Sequence, residues 1–391
     1  MINPLSALGP QKRLLSLDVL RGLTIAFMIM VNNSGAGAWA QMRHSAWNGC
    51  TATDLVFPTF LFVVGVSIVF AYDARLAKGA TRVQSAWHMA RRAGILFLLG
   101  IVVNGFPYFE LTQLRIYGVL QRIAVCYLLV GLFYLWDQRV WTKVALLAAI
   151  LVGYWILLRW VPVPGAGMPG RDIAFLDPDQ NMVAWLERHL MPGHHYEDFA
   201  AHNLHGPEGL LSDIPALGTT LLGLLTGLWL RGQRAVKDKT LGLAVASVAC
   251  LASGYLWSIW FPLNKKMWTS SYVLVAAGWS LAVFALAFWA VEQKGWGKRG
   301  LGKALIWPWL VFGSNAIVAY MFSSLLPAAA RALYSHAIGS PPGQPTHAAG
   351  KLFLSLIPDP GWSAFAYSVS VLVVCFVPVW VLYRKKIFVK V

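Results

Sequence analysis

Apolar runs of about twenty residues recur along the whole chain, separated by polar segments. A run of that length is what an α-helix needs to cross the hydrocarbon core of a membrane. Transmembrane strands would instead alternate apolar and polar residues over about ten positions. The pattern therefore predicts an all-α, polytopic transmembrane bundle of about ten helices, forming a single domain over residues 1–391. The predicted helices cover residues 14–34, 54–73, 88–106, 114–136, 142–161, 209–230, 240–260, 269–291, 304–327 and 361–383.

Composition agrees with an integral membrane protein, because 58% of the 391 residues are hydrophobic and only 12% are charged. A soluble domain carries about 25% charged residues. The first apolar run has no cleavage site and contains Asp18 and Arg21, so we expect it to remain as a helix and not to act as a signal peptide.

The net charge of +16 is explained by topology and not by nucleic acid. Lysine and arginine are concentrated at the N-terminus, in alternate interhelical segments and at the C-terminus, which is the positive-inside pattern. We therefore expect both termini to be cytoplasmic. A basic inner face also attracts anionic lipid and anionic cofactors. The main basic segments contain Arg75, Lys78, Arg82, Arg91 and Arg92; Arg231, Arg234, Lys237 and Lys239; and Arg384, Lys385 and Lys386.

Two long segments are predicted on the outer side, at residues 162–208 and 328–360. The first is rich in Pro, Gly, His and Asp and contains a short amphipathic helix near 181–190; long ordered loops are often functional. Its histidines, His194, His195, His202 and His205, match no zinc-binding spacing, so no metal site is expected. The four cysteines are scattered without a CxxC motif, which also predicts no disulfide framework.

His44 is the main candidate for chemistry, because it follows the first helix on the outer side and histidine can serve as general base or nucleophile near neutral pH. The alternative is an interfacial histidine that only bonds headgroups or loop backbone. Asn32, at the end of the first helix, could orient the imidazole or hold a carbonyl. Trp47 could frame the site or be an ordinary interfacial aromatic residue.

Charged residues inside helices form a second group of candidates, since they need partners or a function. Asp18 and Arg21 are spaced to form an ion pair, which could be self-neutralising or could help to close the bundle around a cofactor. Arg122 is expected seven residues, about 10 Å, inside the fourth helix and must pair with a carboxylate or a ligand. Glu208 and Asp213 could simply stabilise a helix N-terminus. Lys265 could bind an acidic substrate or face solvent.

Eight segments together resemble the heparan-alpha-glucosaminide N-acetyltransferase family, within the wider group of transmembrane acyltransferases. They occur in order along nearly the whole chain, which makes the resemblance specific. These segments are RLLSLDVLRGLTI at 13–25, VN at 31–32, HSAWNG at 44–49, DLVFPTFLFVVGVS at 54–67, GVLQR at 118–122, PEGLL at 207–211, NKKMWTSSYV at 264–273 and GSNAI at 313–317.

The resemblance implies transfer of acetyl from cytoplasmic acetyl-CoA to the amine of a glucosamine-type sugar on the outer, periplasmic side of a bacterial inner membrane. His44 would be the catalytic histidine and Asn32 would belong to the same centre. No metal is implied, and the partners would be acetyl-CoA, the amino sugar and membrane lipid, with a homodimer left open. The implied substrate-binding residues are Trp47, Asn48, Asp54, Glu208, Asn264, Lys265 and Trp268, and the implied cofactor-binding residues are Asp18, Arg21, Arg92, Gln121 and Arg122.

A transporter of an amino sugar or of N-acetylglucosamine is the alternative function. The absence of an evident inverted sequence repeat, which many transporters have, weighs mildly against it. Release of CoA by the purified protein would distinguish an enzyme from a carrier. The sequence leaves open the exact acceptor and the choice between an acetyl-histidine intermediate and a ternary complex.

Overall fold

The fold was analysed in a computed structural model, which describes residues 14–35, 37–111, 114–191, 208–298, 300–337 and 348–389. The predicted all-α class is confirmed, because these residues form thirteen α-helices and contain no strand longer than an isolated bridge. The helices are α1 Leu15–Asn32, α2 Val56–Leu76, α3 Arg82–Gly105, α4 Val119–Trp136, α5 Val140–Trp160, α6 Met182–Leu190, α7 Asp213–Arg231, α8 Val236–Trp257, α9 Ser270–Phe288, α10 Gly300–Ser314, α11 Ala316–Ala337, α12 Ala348–Leu356 and α13 Pro360–Arg384.

Ten of the described helices are long and apolar enough to cross a membrane: α1–α5, α7–α9, α11 and α13. The predicted number of spans is thus confirmed. The predicted short helix of the outer loop is also present as α6, whose N-terminus is capped by the side chain of Asn181.

The ninth predicted span, 304–327, is wrong in its position. The chain breaks at Asn315, so that the predicted run is shared between α10 and α11. Asn315 is buried, and its side-chain amide donates to Ile387 O at 3.0 Å while its oxygen accepts from Val389 N at 2.8 Å. Because the amide pairs with the backbone just beyond α13, α10 ends beside the end of α13. Hydropathy could not detect this break, since both helices are apolar.

Contacts between helix ends define two ends of the bundle. At the basic end, Ser16 N donates to Glu292 after α9, and Arg231 at the end of α7 lies 3.2 Å from Asp73 near the end of α2. At the histidine end, the Tyr272 hydroxyl at the start of α9 donates to Asp54 O before α2, at 2.6 Å. α1 begins and α13 ends at the basic end, in agreement with ten crossings.

Glycines allow two pairs of central helices to touch backbone to backbone. A Cβ on Gly65 of α2 would lie 2.0 Å from Thr220 O of α7, and one on Gly223 of α7 would lie 2.0 Å from Phe62 O of α2. Gly22 of α1 and the backbone of Trp309 on α10 make an equally close contact. Small residues at such crossings are the usual means of packing transmembrane helices. These close contacts fix the relative positions of α2 and α7 and of α1 and α10.

Candidate functional site

The site lies on the loop between α1 and α2, at the histidine end. Two short 3₁₀ turns, Ala40–Met42 and Thr53–Leu55, shape this loop. The buried Ser34 hydroxyl donates to Met42 O at 3.1 Å, and Thr53 Oγ1 donates to Gln41 O at 2.9 Å. These bonds fix the loop at both of its ends, with His44 between them.

His44 and Asp54 form a pair in which the carboxylate is buried and the imidazole is open. His44 Nδ1 lies 2.7 Å from Asp54 Oδ1, with side-chain exposures of 51% and 1%. Asp54 Oδ2 accepts bonds from Ser45 N, Thr51 N and Thr51 Oγ1 at 3.0–3.1 Å. A carboxylate with this many donors is held ionised and can only accept, so Nδ1 of a neutral imidazole carries the proton. Nε2 is then the basic atom.

Lys265 completes a three-residue group with this pair. Its Nζ lies 3.8 Å from Asp54 Oδ1, 3.1 Å from His44 Nδ1 and 3.5 Å from His44 Nε2. Its side chain is only 12% exposed. Burial lowers the pKa of Lys265, while the nearby charges of Asp54 and Glu208 act in the opposite direction. The predicted residues His44, Asp54 and Lys265 are therefore brought together, with Lys265 packed against His44.

The loop before α9 positions Lys265 by using Asn264 as its centre. Asn264 is fully buried; its Oδ1 accepts from Met267 N at 2.9 Å, and its Nδ2 donates to Asn48 Oδ1 at 3.1 Å. Gly49 N donates to Leu263 O at 2.7 Å. These bonds tie the Lys265 loop to the His44 loop. Asn264 therefore supports the site from beneath, while Asn48 is exposed at its surface.

The outer loop before α6 closes against Trp47. The Trp47 indole N–H donates to Leu176 O at 2.8 Å, and the Lys266 ammonium lies 5.7 Å from the centre of the Trp47 ring. Trp47 packs with an apolar cluster that includes Tyr154, Val183 and Met267. The part of the 162–208 loop that the structure describes thus covers one side of the site. Histidines 194, 195, 202 and 205 lie outside the described residues.

Arg122 belongs to a second charged group at the same end. The prediction that it lies about 10 Å inside its helix is wrong, because α4 begins at Val119 and Arg122 is in the first turn. Its guanidinium is fully buried, with Nε donating to Asp213 Oδ1 at 2.7 Å and Nη2 donating to Gly209 O at 2.9 Å. The requirement for a buried partner was right, and Asp213 meets it. The Tyr117 hydroxyl also bonds Asp213.

Glu208 is buried beside this group and pairs with Arg115. Burial tends to raise the pKa of Glu208, but the charges of Arg115 and Arg122 outweigh burial, and the pKa is lowered. Burial and the charge of Asp213 raise the pKa of Tyr117. Glu208 is thus an ionised, paired residue that anchors the start of the α7 segment.

Trp268 connects the two charged groups. Its fully buried ring lies 4.9 Å from the Arg122 guanidinium, and its indole N–H donates to Thr219 Oγ1 at 3.1 Å. Its backbone is in the left-handed region, with φ of 53°, three residues after Lys265. Trp268 is therefore beneath the surface of the site and holds the turn that presents Lys265.

Eleven buried side-chain polar atoms lack a hydrogen-bond partner among the described residues, and four of the residues that carry them are candidates for ligand contact. Both amide atoms of the fully buried Gln121 and the Nη1 of Arg122 are without a hydrogen bond. Towards the basic end, the buried Nε atoms of Arg75 and Arg92 are likewise unbonded. Unpaired buried polar atoms are costly, and a bound ligand is one way to satisfy them.

The Asp18–Arg21 ion pair is formed at the basic end, with 3.1 Å between Arg21 Nη1 and Asp18 Oδ1. Arg21 also donates to Ser67 Oγ of α2 at 3.1 Å, and to Gly313 O of α10 at 3.4 Å. The pair therefore joins α1 to two neighbours and lies far from the His44 group. Asn32, in turn, is exposed at the last position of α1, and within the described residues it makes no hydrogen bond to His44.

Sequence reasoning missed two contributors to the site. Asp213 was interpreted as a helix-dipole residue, although its position in the first turn of α7 matches that of Arg122 in α4. Tyr272, whose hydroxyl fixes the Asp54 backbone, was treated only as part of a motif. Among the described residues, no three His, Cys, Asp or Glu side chains are grouped so that they could hold a metal.

The fold and the site define a multi-pass helical membrane protein that carries a His–Asp–Lys group at one end. Residues 13–185 match the family model described as heparan-alpha-glucosaminide N-acetyltransferase, catalytic. The chain is 28% identical to human heparan-alpha-glucosaminide N-acetyltransferase over 370 residues, which cover 81% of this chain and 53% of the human protein. It is 25% identical to the mouse protein of the same name, covering 80% and 54%. The predicted resemblance to this family is confirmed by these similarities, and the chain spans about half the length of the two curated proteins that it matches.

Proposed function

We propose that the protein is a transmembrane acetyltransferase that moves acetyl from acetyl-CoA, entering at the basic end, to the amine of a glucosamine-type sugar bound at the histidine end. The observation that carries the proposal is the His44–Asp54 pair, which leaves a basic Nε2 on an imidazole that is half exposed. The names of the human and mouse relatives support this class of reaction.

The proton chemistry follows from the tautomer of His44. The acceptor amine attacks the thioester carbonyl, the new C–N bond forms and the C–S bond breaks. His44 Nε2 takes the proton that the attacking nitrogen loses and gives it to the departing thiolate, so that an amide and a free thiol result. Asp54 orients the ring and stabilises the transient imidazolium.

Acetyl-CoA is proposed to extend between the two ends of the bundle. Arg92 lies about 15 Å along α3 from its first residue, Arg82, at 1.5 Å per residue. The unbonded Nε atoms of Arg75 and Arg92 suit phosphate oxygens, because arginine pairs strongly with phosphate. Gln121 and Arg122 are the proposed contacts for the polar arm and the acetyl carbonyl near the histidine end. Asp18 and Arg21 would hold α1, α2 and α10 around the entrance.

The acceptor sugar is proposed to bind against the exposed part of the His44 loop. Trp47 and Asn48 would contact it directly, whereas Asn264, Trp268 and Glu208 would support that surface from beneath. Asn32, exposed at the end of α1, is the further proposed polar contact. From the positive-inside distribution we propose that the basic end lies in the cytoplasm, and that the membrane is a bacterial inner membrane.

The test uses the purified full chain in detergent, with acetyl-CoA and glucosamine. Release of free CoA that depends on glucosamine, together with formation of N-acetylglucosamine, is the expected result. Because no sealed membrane is present, a transporter would produce neither product. If CoA release is absent for glucosamine and for glucosamine-terminated oligosaccharides, although the protein is folded, the proposed function is wrong.

A further inference from the structure

The position of the Lys265 ammonium relative to the His44 ring is informative. Nζ lies 3.1 Å from Nδ1 and 3.5 Å from Nε2. If Nζ lay in the plane of the ring, these two distances would make it overlap with Cε1 on one side of the ring, or with Cγ and Cδ2 on the other side. The hydrogen on Nδ1 is also directed at Asp54. Nζ therefore lies over the face of the imidazole and is not hydrogen-bonded within its plane.

An ammonium over this ring distinguishes its two protonation states. A cation is attracted to the π face of an uncharged ring. The same cation repels an imidazolium, because like charges close together disfavour the charged form. Asp54 has the opposite effect, since a carboxylate next to an imidazole favours its protonation. Lys265 Nζ lies 3.8 Å from Asp54 Oδ1, so its positive charge offsets the effect of that carboxylate on the protonation of the ring.

We propose that Lys265 is a positioning residue that keeps the His44 imidazole uncharged while Asp54 holds its orientation. With Lys265 present, the buried carboxylate already has a cationic partner and does not require a protonated histidine. Without Lys265, His44 would be the remaining partner of the Asp54 carboxylate, which favours the protonated form of the ring. The catalytic use of this arrangement rests on the proposed function, but the effect of Lys265 on the protonation of His44 can be measured without acetyl transfer.

Other charged groups around His44 do not replace this effect. Arg43 is exposed next to it in sequence, and burial raises the pKa of Cys50 to about 12, so that its thiol is uncharged. The more distant charges of Glu208 and Arg122 act on Lys265, and they are paired with Arg115 and Asp213 respectively. Lys265 and Asp54 are the two charged side chains with described contacts to the ring.

The test is the pH profile of His44 acylation by diethyl pyrocarbonate, which reacts with uncharged imidazole. The rate is followed by mass spectrometry of the peptide that contains residue 44, between about pH 5 and pH 9. Replacing the ammonium by a neutral side chain, Lys265→Met, should move the midpoint upward by about one pH unit, a ~10-fold loss of reactive imidazole on the acidic side. Lys265→Gln is the second neutral variant, in case the first does not fold.

Lys266→Met is the matched control, because Lys266 is the adjacent cation but lies over the Trp47 ring. Its midpoint should equal that of the unmodified protein, and Lys265→Arg, which keeps the charge, should have a midpoint close to that of the unmodified protein. An unchanged or lower midpoint in folded Lys265→Met and Lys265→Gln overturns the proposal, as does an equal upward shift in Lys266→Met. A shift in a protein that releases no CoA would support the role of Lys265 and count only against the proposed reaction.

Discussion

At the residue scale, the His44 ring combines an ordered tautomer with an open basic atom. Burial of Asp54 and exposure of the imidazole are both needed in the proposed reaction, because a buried histidine could not reach an external acceptor and an unoriented one would lose its preferred tautomer. The same arrangement gives the clearest single-residue predictions.

His44→Ala is expected to lower acetyl transfer while leaving the fold intact, since the side chain is half exposed and lies in a loop. General-base catalysis typically contributes about 10²–10⁴ in rate. The measurement is kcat for CoA release, with melting temperature as the measure of folding. His189→Ala is the control, because His189 is exposed on α6 and contacts Trp185 of the same helix, through its backbone oxygen and its ring. A His44→Ala protein with the normal kcat would rule out the mechanism.

Arg122 and Asp213 should behave as a coupled buried pair. Removing one member leaves an unpaired charge in a water-poor site and typically costs about 3–5 kcal/mol, whereas replacing both members with apolar residues costs less. We therefore expect Arg122→Leu and Asp213→Leu each to lower the melting temperature more than the double variant does. Additive losses in this double-mutant cycle would show that the pair is not coupled.

At the element scale, the positions of helices follow from hydropathy, but their ends and breaks do not. The ten spans could be predicted because each needs about twenty apolar residues. Arg122 was misplaced because the residues before Val119 are apolar enough to extend the run, although they are not helical. The break at Asn315 depends on a tertiary partner, the backbone at Ile387 and Val389, which no local pattern contains.

The α2–α7 contact predicts that any side chain larger than that of glycine at position 223 destabilises the protein. A Cβ there would lie 2.0 Å from Phe62 O, a backbone atom that cannot move without the helix. We expect Gly223→Ala to destabilise the protein by about 1–3 kcal/mol, the usual cost of overpacking, and to lower the yield of monodisperse protein. Gly153→Ala on α5 is the matched control, because nothing lies within 4 Å of a Cβ at that position. Equal melting temperatures for both variants would contradict the close crossing.

At the scale of the whole molecule, the two ends differ in chemistry. The basic end contains the partly buried arginines of α2 and α3, and the histidine end contains the acid–base group. The sequence indicates His44, Asp54 and Lys265 as candidate site residues but cannot predict their contact, because Lys265 is 221 positions from His44 and reaches it through the fold. Likewise, Trp268 and Asn264 were predicted as sugar contacts, yet both are fully buried supports.

The proposed reaction uses two substrates from opposite sides of the membrane, and it therefore depends on the predicted orientation of the bundle. The contacts between helix ends place the start of α1 and the end of α13 at the same end of the bundle. The lysine and arginine distribution predicts that this end is cytoplasmic. In a variant with its four native cysteines replaced, a cysteine at the exposed position Arg171 should react with an impermeant thiol reagent in intact cells. A cysteine at the exposed position Lys237 should react only after the cells are permeabilised. The reverse labelling would put His44 on the cytoplasmic side, where acetyl-CoA could reach it without crossing the bundle, and would remove the need for a cofactor path between the two ends.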